Sequence, residues 1–124
     1  MNFAGRKVLV VDDEKDLCEI VSFELEDIGF NVETASNGTD AFNMVKEKGD
    51  FDLVISDVRM TGGDGIELLE NIKARDPQKP PVILMTGFAD VTEEEVLKKG
   101  AEAIIAKPIS FSELRESIDK ALSK

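Results

Sequence analysis

The sequence predicts an α/β fold in which a doubly wound, five-stranded parallel sheet carries helices on both faces. Four short runs are apolar without alternation, as expected for strands buried on both faces: residues 8–11, 53–55, 82–85 and 103–106. A fifth, weaker run at residues 30–35 alternates polar and apolar side chains, which predicts a strand at a sheet edge with one exposed face. Helical segments separate the runs, and the right-handed crossover rule makes such an alternation a parallel sheet.

The helices are predicted from apolar residues that recur with helical spacing. The first segment carries them at residues 17–28 and ends at Gly29, a residue suited to the position after a helix. The second covers residues 41–45 before Gly49, and the third covers residues 66–72 before the Asp76-Pro77 stop.

Two further helices are predicted from their start signals. Ser110 and Glu113 form a capping box at the start of the last helix. Thr92 and Glu95 offer a similar cap for the fourth helix, which is expected to end near Gly100. The acidic run at residues 92–95 is equally compatible with a solvated turn.

Length and composition predict one globular domain over residues 1–124, with no output domain. The chain has 124 residues, 42% of them hydrophobic, which is enough for a single continuous core. Its net charge of −11 disfavours direct binding to nucleic acid or to an anionic membrane. A lone Cys18 cannot form an intramolecular disulfide, and no apolar run is long enough for a signal segment or membrane span, so a cytoplasmic location is expected.

Polar side chains stand at the carboxyl end of every buried strand. Asp12 and Asp13 follow the first strand, Asp57 the third, Thr86 the fourth and Lys107 the fifth. In the strand order 2-1-3-4-5 the first and third strands are neighbours at the binding crevice, so the three carboxylates are expected to converge. Their repulsion requires a compensating cation, for which Mg²⁺ with its oxygen ligands is the natural choice and Lys107 a second positive charge.

This arrangement predicts phosphoryl chemistry. Asp57 attacks a phosphorus atom to give an acyl phosphate, while the metal and Lys107 neutralise charge on the phosphoryl oxygens and the Thr86 hydroxyl hydrogen-bonds one of them.

The same residues resemble the response-regulator receiver family over essentially the whole chain. The matching motifs are Val-Leu-Val-Val-Asp12-Asp13-Glu14, Ile-Ser-Asp57-Val-Arg59-Met, Leu-Met-Thr86-Gly and Ala-Lys107-Pro108. The resemblance implies a flavodoxin-like strand order, Mg²⁺ held by Asp12, Asp13, Asp57 and the backbone carbonyl of Arg59, and Asp57 as the phosphoacceptor. Thr86 and Lys107 would sense the phosphoryl group, and the Lys107-Pro108 peptide bond would be cis.

The resemblance also implies partners. A histidine kinase or histidine phosphotransfer protein would donate the phosphoryl group, and a downstream target protein would read the modified face. Dephosphorylation would be self-catalysed, so the chain would be a signalling domain, not a conventional enzyme. A monomer or a phosphorylation-dependent dimer is expected.

Several positions depart from the family pattern or flank the site. Ile104 stands where many relatives carry a rotating Tyr or Phe, and Thr61 stands where a proline often follows the methionine. Three glycines at residues 62–65 predict a mobile loop. Arg59 and Phe88 would flank the path of the attacking water and tune the lifetime of the phosphoryl group.

Three other functions fit parts of the pattern. A phosphorylation-independent interaction module of the same fold would not need the five site positions, and none of them is replaced. An aspartyl-phosphate phosphatase would want a second aspartate at the position of Arg59. A flavin-binding protein would want Trp or Tyr to stack on the ring and a phosphate loop after the first strand, and this chain has neither.

Overall fold

The computed structural model describes residues 3–87 and 92–123, and these alternate strand and helix five times. The elements are β1 (Lys7–Val11), α1 (Lys15–Asp27), β2 (Asn31–Ala35), α2 (Gly38–Lys48), β3 (Leu53–Asp57), α3 (Gly65–Arg75), β4 (Val82–Thr86), α4 (Glu93–Lys98), β5 (Ala103–Ala106) and α5 (Phe111–Leu122). Every predicted strand and helix is therefore present.

The sheet has five parallel strands in the order β2-β1-β3-β4-β5, which confirms the predicted fold class. The register pairs Val10 of β1 with Ile55 of β3, and Ile55 in turn with Ile83 of β4. β2 lies at one edge, and none of its five residues is fully buried, as its alternating sequence predicts.

Both faces of the sheet are covered, which explains why the central strands do not alternate. Val8 and Val10 of β1 pack into one apolar cluster with α1 and α5. Leu9 and Val11 point to the other face, where a second cluster includes residues of α2, α3 and α4. Along most of the central strands, residues on either face therefore meet an apolar layer, which favours apolar side chains at successive positions.

The helix ends match the predicted signals. The Ser110 hydroxyl accepts a hydrogen bond from the Glu113 N–H at 3.4 Å, and the Thr92 hydroxyl accepts one from the Glu95 N–H at 3.1 Å. The acidic run at residues 92–95 therefore begins a helix, although α4 has only six residues. Gly49 follows α2 in the left-handed conformation with φ of 66°.

Two strands continue further than the apolar runs indicate. β3 extends to Asp57 and β4 to Thr86, because the ladder pairs Asp57 with Met85 and Thr86 with Ala106. These polar residues therefore occupy the last position of their strands, where backbone pairing fixes them.

Among the described residues, no helix combines the length and the apolar character needed to cross a membrane.

Candidate functional site

Asp57 occupies the centre of the carboxyl edge of the sheet. It is 3% exposed, and its Oδ2 accepts a hydrogen bond from Lys107 Nζ at 2.9 Å. The other oxygen, Oδ1, is buried and has no hydrogen-bond partner in the part of the chain that the structure describes. A buried carboxylate oxygen without a partner is costly, which indicates that something else satisfies it in the working molecule.

Asp12 lies beside Asp57 because β1 and β3 are neighbours. Its backbone N–H donates to the carbonyl of Ala35 at 3.1 Å, and its Oδ1 accepts from the Glu14 N–H at 2.9 Å. Oδ2 is a second buried oxygen without a hydrogen bond and lies 4.0 Å from Lys107 Nζ. Both orphaned oxygens therefore belong to the same crevice.

Asp13 completes the cluster from the solvent side. Its side chain is exposed, and its Oδ2 accepts a hydrogen bond from the backbone N–H of Thr61 at 3.1 Å. One carboxylate oxygen from each of Asp12, Asp13 and Asp57 lies within 4.8 Å of the other two. The predicted convergence of the three carboxylates is thus present.

Burial and like charge shape the ionisation of these groups. Burial raises the pKa of the Asp12 carboxyl above its ordinary value, and the Asp57 charge adds to this rise, against the lowering effects of the Glu14 N–H and Lys107. Burial alone would lower the pKa of the Lys107 ammonium, but its hydrogen bond to Asp57 and the charges of Asp57, Asp12 and Glu14 outweigh burial and raise it. Lys107 therefore stays protonated.

The residues fit a hard divalent cation. Three carboxylates supply oxygen donors, and two of their buried oxygens, Asp12 Oδ2 and Asp57 Oδ1, have no hydrogen-bond donor among residues 3–87 and 92–123. Oxygen ligands with one or two buried carboxylates and open coordination positions suit Mg²⁺. Asp12 and Asp13 also line an open groove of about 770 Å³ whose other walls come from α1, β2 and α2.

Thr86 and Lys107 are joined through the backbone. Thr86 ends β4 with 9% exposure, and its carbonyl accepts a hydrogen bond from the Lys107 N–H at 2.8 Å. The peptide bond between Lys107 and Pro108 is cis, as predicted from the resemblance, and the one between Lys79 and Pro80 is cis as well. Both phosphoryl-sensing candidates thus lie at the same edge as the carboxylates.

The contacts do not test the predicted roles of two further residues, Arg59 and Phe88. Arg59 is exposed two residues beyond the end of β3, and the metal-binding role of its carbonyl stays a prediction. Phe88 lies outside the described residues.

Sequence reasoning missed the contacts that build the loop after β3. Gly65 begins α3 where a Cβ would clash with the Asp57 carbonyl oxygen. Gly62 and Gly63 take positive φ of 86° and 114°, as their glycine identity allows, whereas the predicted mobility of this loop stays a prediction.

Sequence reasoning also assigned no role to Glu14, yet its Oε1 lies 3.6 Å from Lys107 Nζ. The sequence signal for this contact is the place of Glu14 directly after Asp12 and Asp13.

Comparison with known proteins agrees with this geometry. The family model of the response regulator receiver domain matches residues 8–119. The transcriptional regulatory protein ZraR of Salmonella typhimurium is 45% identical over 117 residues, which are 94% of this chain but 26% of that protein. The chain therefore spans about a quarter of this relative. The chemotaxis protein CheY-3 of Vibrio cholerae is 38% identical over 123 residues, covering 95% of this chain and 92% of that protein.

Solved structures share the fold. A response regulator receiver domain protein from Clostridium thermocellum superposes with a TM-score of 0.87 at 32% identity, covering 95% of this chain and 94% of the other. A complex of CheX and CheY with BeF₃ and Mg²⁺ from Borrelia burgdorferi gives a TM-score of 0.89 at 27% identity, covering 98% of this chain and 92% of the other.

Proposed function

This chain belongs to the response regulator receiver domain family, and from that premise we propose that it is a Mg²⁺-dependent phosphoacceptor switch in which Asp57 is the phosphorylated residue. The observation that carries the proposal is a pair of buried oxygens on Asp12 and Asp57 that find no hydrogen-bond partner among the described residues. They lie next to Asp13 and near the ammonium of Lys107. A site that only stabilised the fold would be expected to satisfy both oxygens within the protein.

Asp57 would act as the nucleophile. An oxygen of its carboxylate forms a bond to the phosphorus of a phosphohistidine, the bond from phosphorus to the histidine nitrogen breaks, and the nitrogen keeps the electron pair. When bound by Asp12, Asp13, Asp57 and the Arg59 carbonyl, Mg²⁺ supplies positive charge beside the phosphoryl oxygens. Hydrolysis of the acyl phosphate then returns the free carboxylate.

Lys107 and Thr86 would read the modification. Lys107 Nζ hydrogen-bonds Asp57 Oδ2 in the structure described, and the same ammonium is within reach of phosphoryl oxygens added to Asp57. The Thr86 hydroxyl lies on the adjacent strand and would donate to another of these oxygens. Because Lys107 N–H also bonds the Thr86 carbonyl, movement of either residue is passed to the β4 and β5 ends.

The proposed partners follow from this chemistry. A histidine kinase or histidine phosphotransfer protein donates the phosphoryl group, and a downstream protein binds the altered face of a monomer or phosphorylation-dependent dimer.

Ile104 of β5 is half-buried against the cluster that includes α4 residues. An aromatic ring at this position therefore cannot couple phosphorylation to a binding face in this chain. We propose that residues 1–124 act as a single receiver domain.

The test is phosphorylation by a small acyl-phosphate donor with Mg²⁺, followed by intact mass. We expect the wild type to gain one phosphoryl group that is lost at alkaline pH, and Asp57→Asn to gain none. Asp76→Asn is the matched control, because Asp76 lies at the C-terminal end of α3 and its Oδ1, which an amide keeps, accepts a hydrogen bond from the Gln78 N–H. It should be phosphorylated like the wild type.

Other results would contradict the proposal. A wild type that gains no mass and binds no Mg²⁺ would favour a phosphorylation-independent interaction module. Rapid multiple turnover of a generic phosphatase substrate would favour a hydrolase.

A further inference from the structure

Asp13 differs from the other two carboxylates in how its side chain is held. Asp12 and Asp57 are each 3% exposed and accept hydrogen bonds from the Glu14 N–H and from Lys107 Nζ, whereas Asp13 is exposed. Its Oδ2 accepts a hydrogen bond from the backbone N–H of Thr61, a residue 48 positions away in the loop after β3. An exposed carboxylate without such a bond would sample several rotamers.

The first residues of α2 donate hydrogen bonds to the same loop after β3. The Gly38 N–H donates to the Gly63 carbonyl at 2.9 Å, and the Thr39 hydroxyl donates to the Gly62 carbonyl at 3.1 Å. The approach is close, because a Cβ on Gly38 would lie 2.8 Å from the Gly63 oxygen. We call these two hydrogen bonds the α2 clamp.

We propose that the Thr61 backbone N–H, held in place by the α2 clamp, positions the Asp13 carboxylate for metal binding. The inference rests on the proposed Mg²⁺ site. The Thr61 bond uses one lone pair of Oδ2 and leaves the remaining acceptor positions of the carboxylate for a cation. A carboxylate that is already oriented loses less freedom when the cation binds, so its donor acts as a positioning group.

The first test compares Thr61→Pro with Thr61→Ala. Proline, which often follows the methionine in this family, removes the N–H donor that Thr61 supplies here, whereas alanine keeps the donor and removes only the exposed side chain. The Mg²⁺ dissociation constant is measured by titration calorimetry, and the melting temperature without metal is measured for each protein. We expect Thr61→Ala to stay within about twofold of the wild type and Thr61→Pro to bind about 3- to 10-fold more weakly.

A second pair leaves the backbone at position 61 unchanged. Thr39→Val removes the hydroxyl that bonds the Gly62 carbonyl, and Thr39→Ser keeps a hydroxyl there. We expect Thr39→Val to weaken Mg²⁺ binding about two- to threefold and Thr39→Ser to restore it. The amide proton shift of Thr61 and the carboxyl carbon shift of Asp13, followed by NMR, should move in Thr39→Val and not in Thr39→Ser.

The outcomes separate this inference from the proposed function. If the wild type binds no Mg²⁺, the metal site itself is wrong, and the positioning role is wrong with it. If the wild type binds Mg²⁺ and folded Thr61→Pro binds as tightly as Thr61→Ala, the positioning role is overturned while the proposed function stands. If Thr61→Pro does not fold, equal affinities and unchanged shifts for Thr39→Val and Thr39→Ser overturn it.

Discussion

Lys107 Nζ lies 2.9 Å from Asp57 Oδ2, although fifty residues separate the two in sequence and the strand between them in the sheet is β4. The lysine follows β5 and reaches past the end of β4 to the end of β3. A side chain with four methylenes can span this gap, and its ammonium then offsets the charge of two buried carboxylates. Several predictions depend on this relationship and on the neighbouring contacts.

Replacing Lys107 by alanine should destabilise the metal-free protein by about 1–3 kcal/mol, because a buried carboxylate loses its charged donor. Millimolar Mg²⁺ should narrow this difference, since the cation replaces the missing positive charge. Denaturant unfolding with and without Mg²⁺ measures both effects. Lys98→Ala is the control, because Lys98 is exposed and forms an exposed ion pair with Glu94.

The Lys107→Ala variant should still accept a phosphoryl group on Asp57 but transmit it poorly. Its ammonium contacts the carboxylate that is modified, so its loss removes a group that senses the change. Partner binding before and after phosphorylation measures the transmission. An unimpaired response would contradict the sensing role.

Mg²⁺ should stabilise the wild type by mass action. At a free concentration of about ten times the dissociation constant the gain is about 1.4 kcal/mol, which raises the melting temperature by several degrees in a domain of this size. Asp13→Asn should abolish most of the shift, because Asp13 is one of three carboxylates whose oxygens lie within 4.8 Å of one another. Asp76→Asn should retain it, and an unchanged wild-type melt would argue against the metal site.

Gly65→Ala should destabilise the protein by about 2–3 kcal/mol, because its Cβ would clash with the Asp57 carbonyl oxygen. At a helix position with no atom near the added Cβ, the same Gly→Ala substitution would stabilise the helix. Gly49→Ala is the comparison: a Cβ there meets nothing within 4 Å, but φ is 66°, so the expected cost is about 1 kcal/mol. Thermal melts of both variants decide whether close approach or backbone conformation costs more.

Glu33 should contribute stability that depends on pH. Its Oε1 lies 2.7 Å from Lys48 Nζ and its Oε2 lies 3.1 Å from Lys7 Nζ, and the Lys48 hydrogen bond, with a smaller contribution from Lys7, lowers the pKa of the Glu33 carboxyl. A lowered folded-state pKa gives stability that is present above the unfolded pKa and is lost as pH falls through the folded value.

Glu33→Gln should therefore reduce stability at pH 7 by about 0.2–1 kcal/mol, the range of exposed ion pairs, and the difference should shrink as pH falls below the ordinary glutamate pKa of 4.5. Urea unfolding across this pH range measures it, and 1 M salt should shrink the effect at pH 7. Phosphorylation of Asp57 should be unaffected, because Lys7 and Lys48 lie at the opposite end of the sheet. A difference as large at pH 3 as at pH 7 would mean that the ion pairs are not its source.

The sequence alone determined the alternation of elements, because each buried strand is an uninterrupted apolar run and each helix begins or ends at a recognisable capping residue. It also determined which residue types stand at the strand ends, and parallel strands place those ends at one edge. Asp12, Asp13, Asp57, Thr86 and Lys107 could therefore be chosen before any coordinates were known.

Only the tertiary structure decided how those groups interact. Asp57 Oδ2 accepts a hydrogen bond from Lys107, whereas Oδ1 has no donor among the described residues. This difference depends on the directions of the side chains, which the periodicity of the sequence does not encode. The bond from the Thr61 N–H to Asp13 is a backbone contact and leaves no mark in residue identity. Long-range contacts between loops depend on how the sheet and helices pack around them, so they emerge only when the chain is folded.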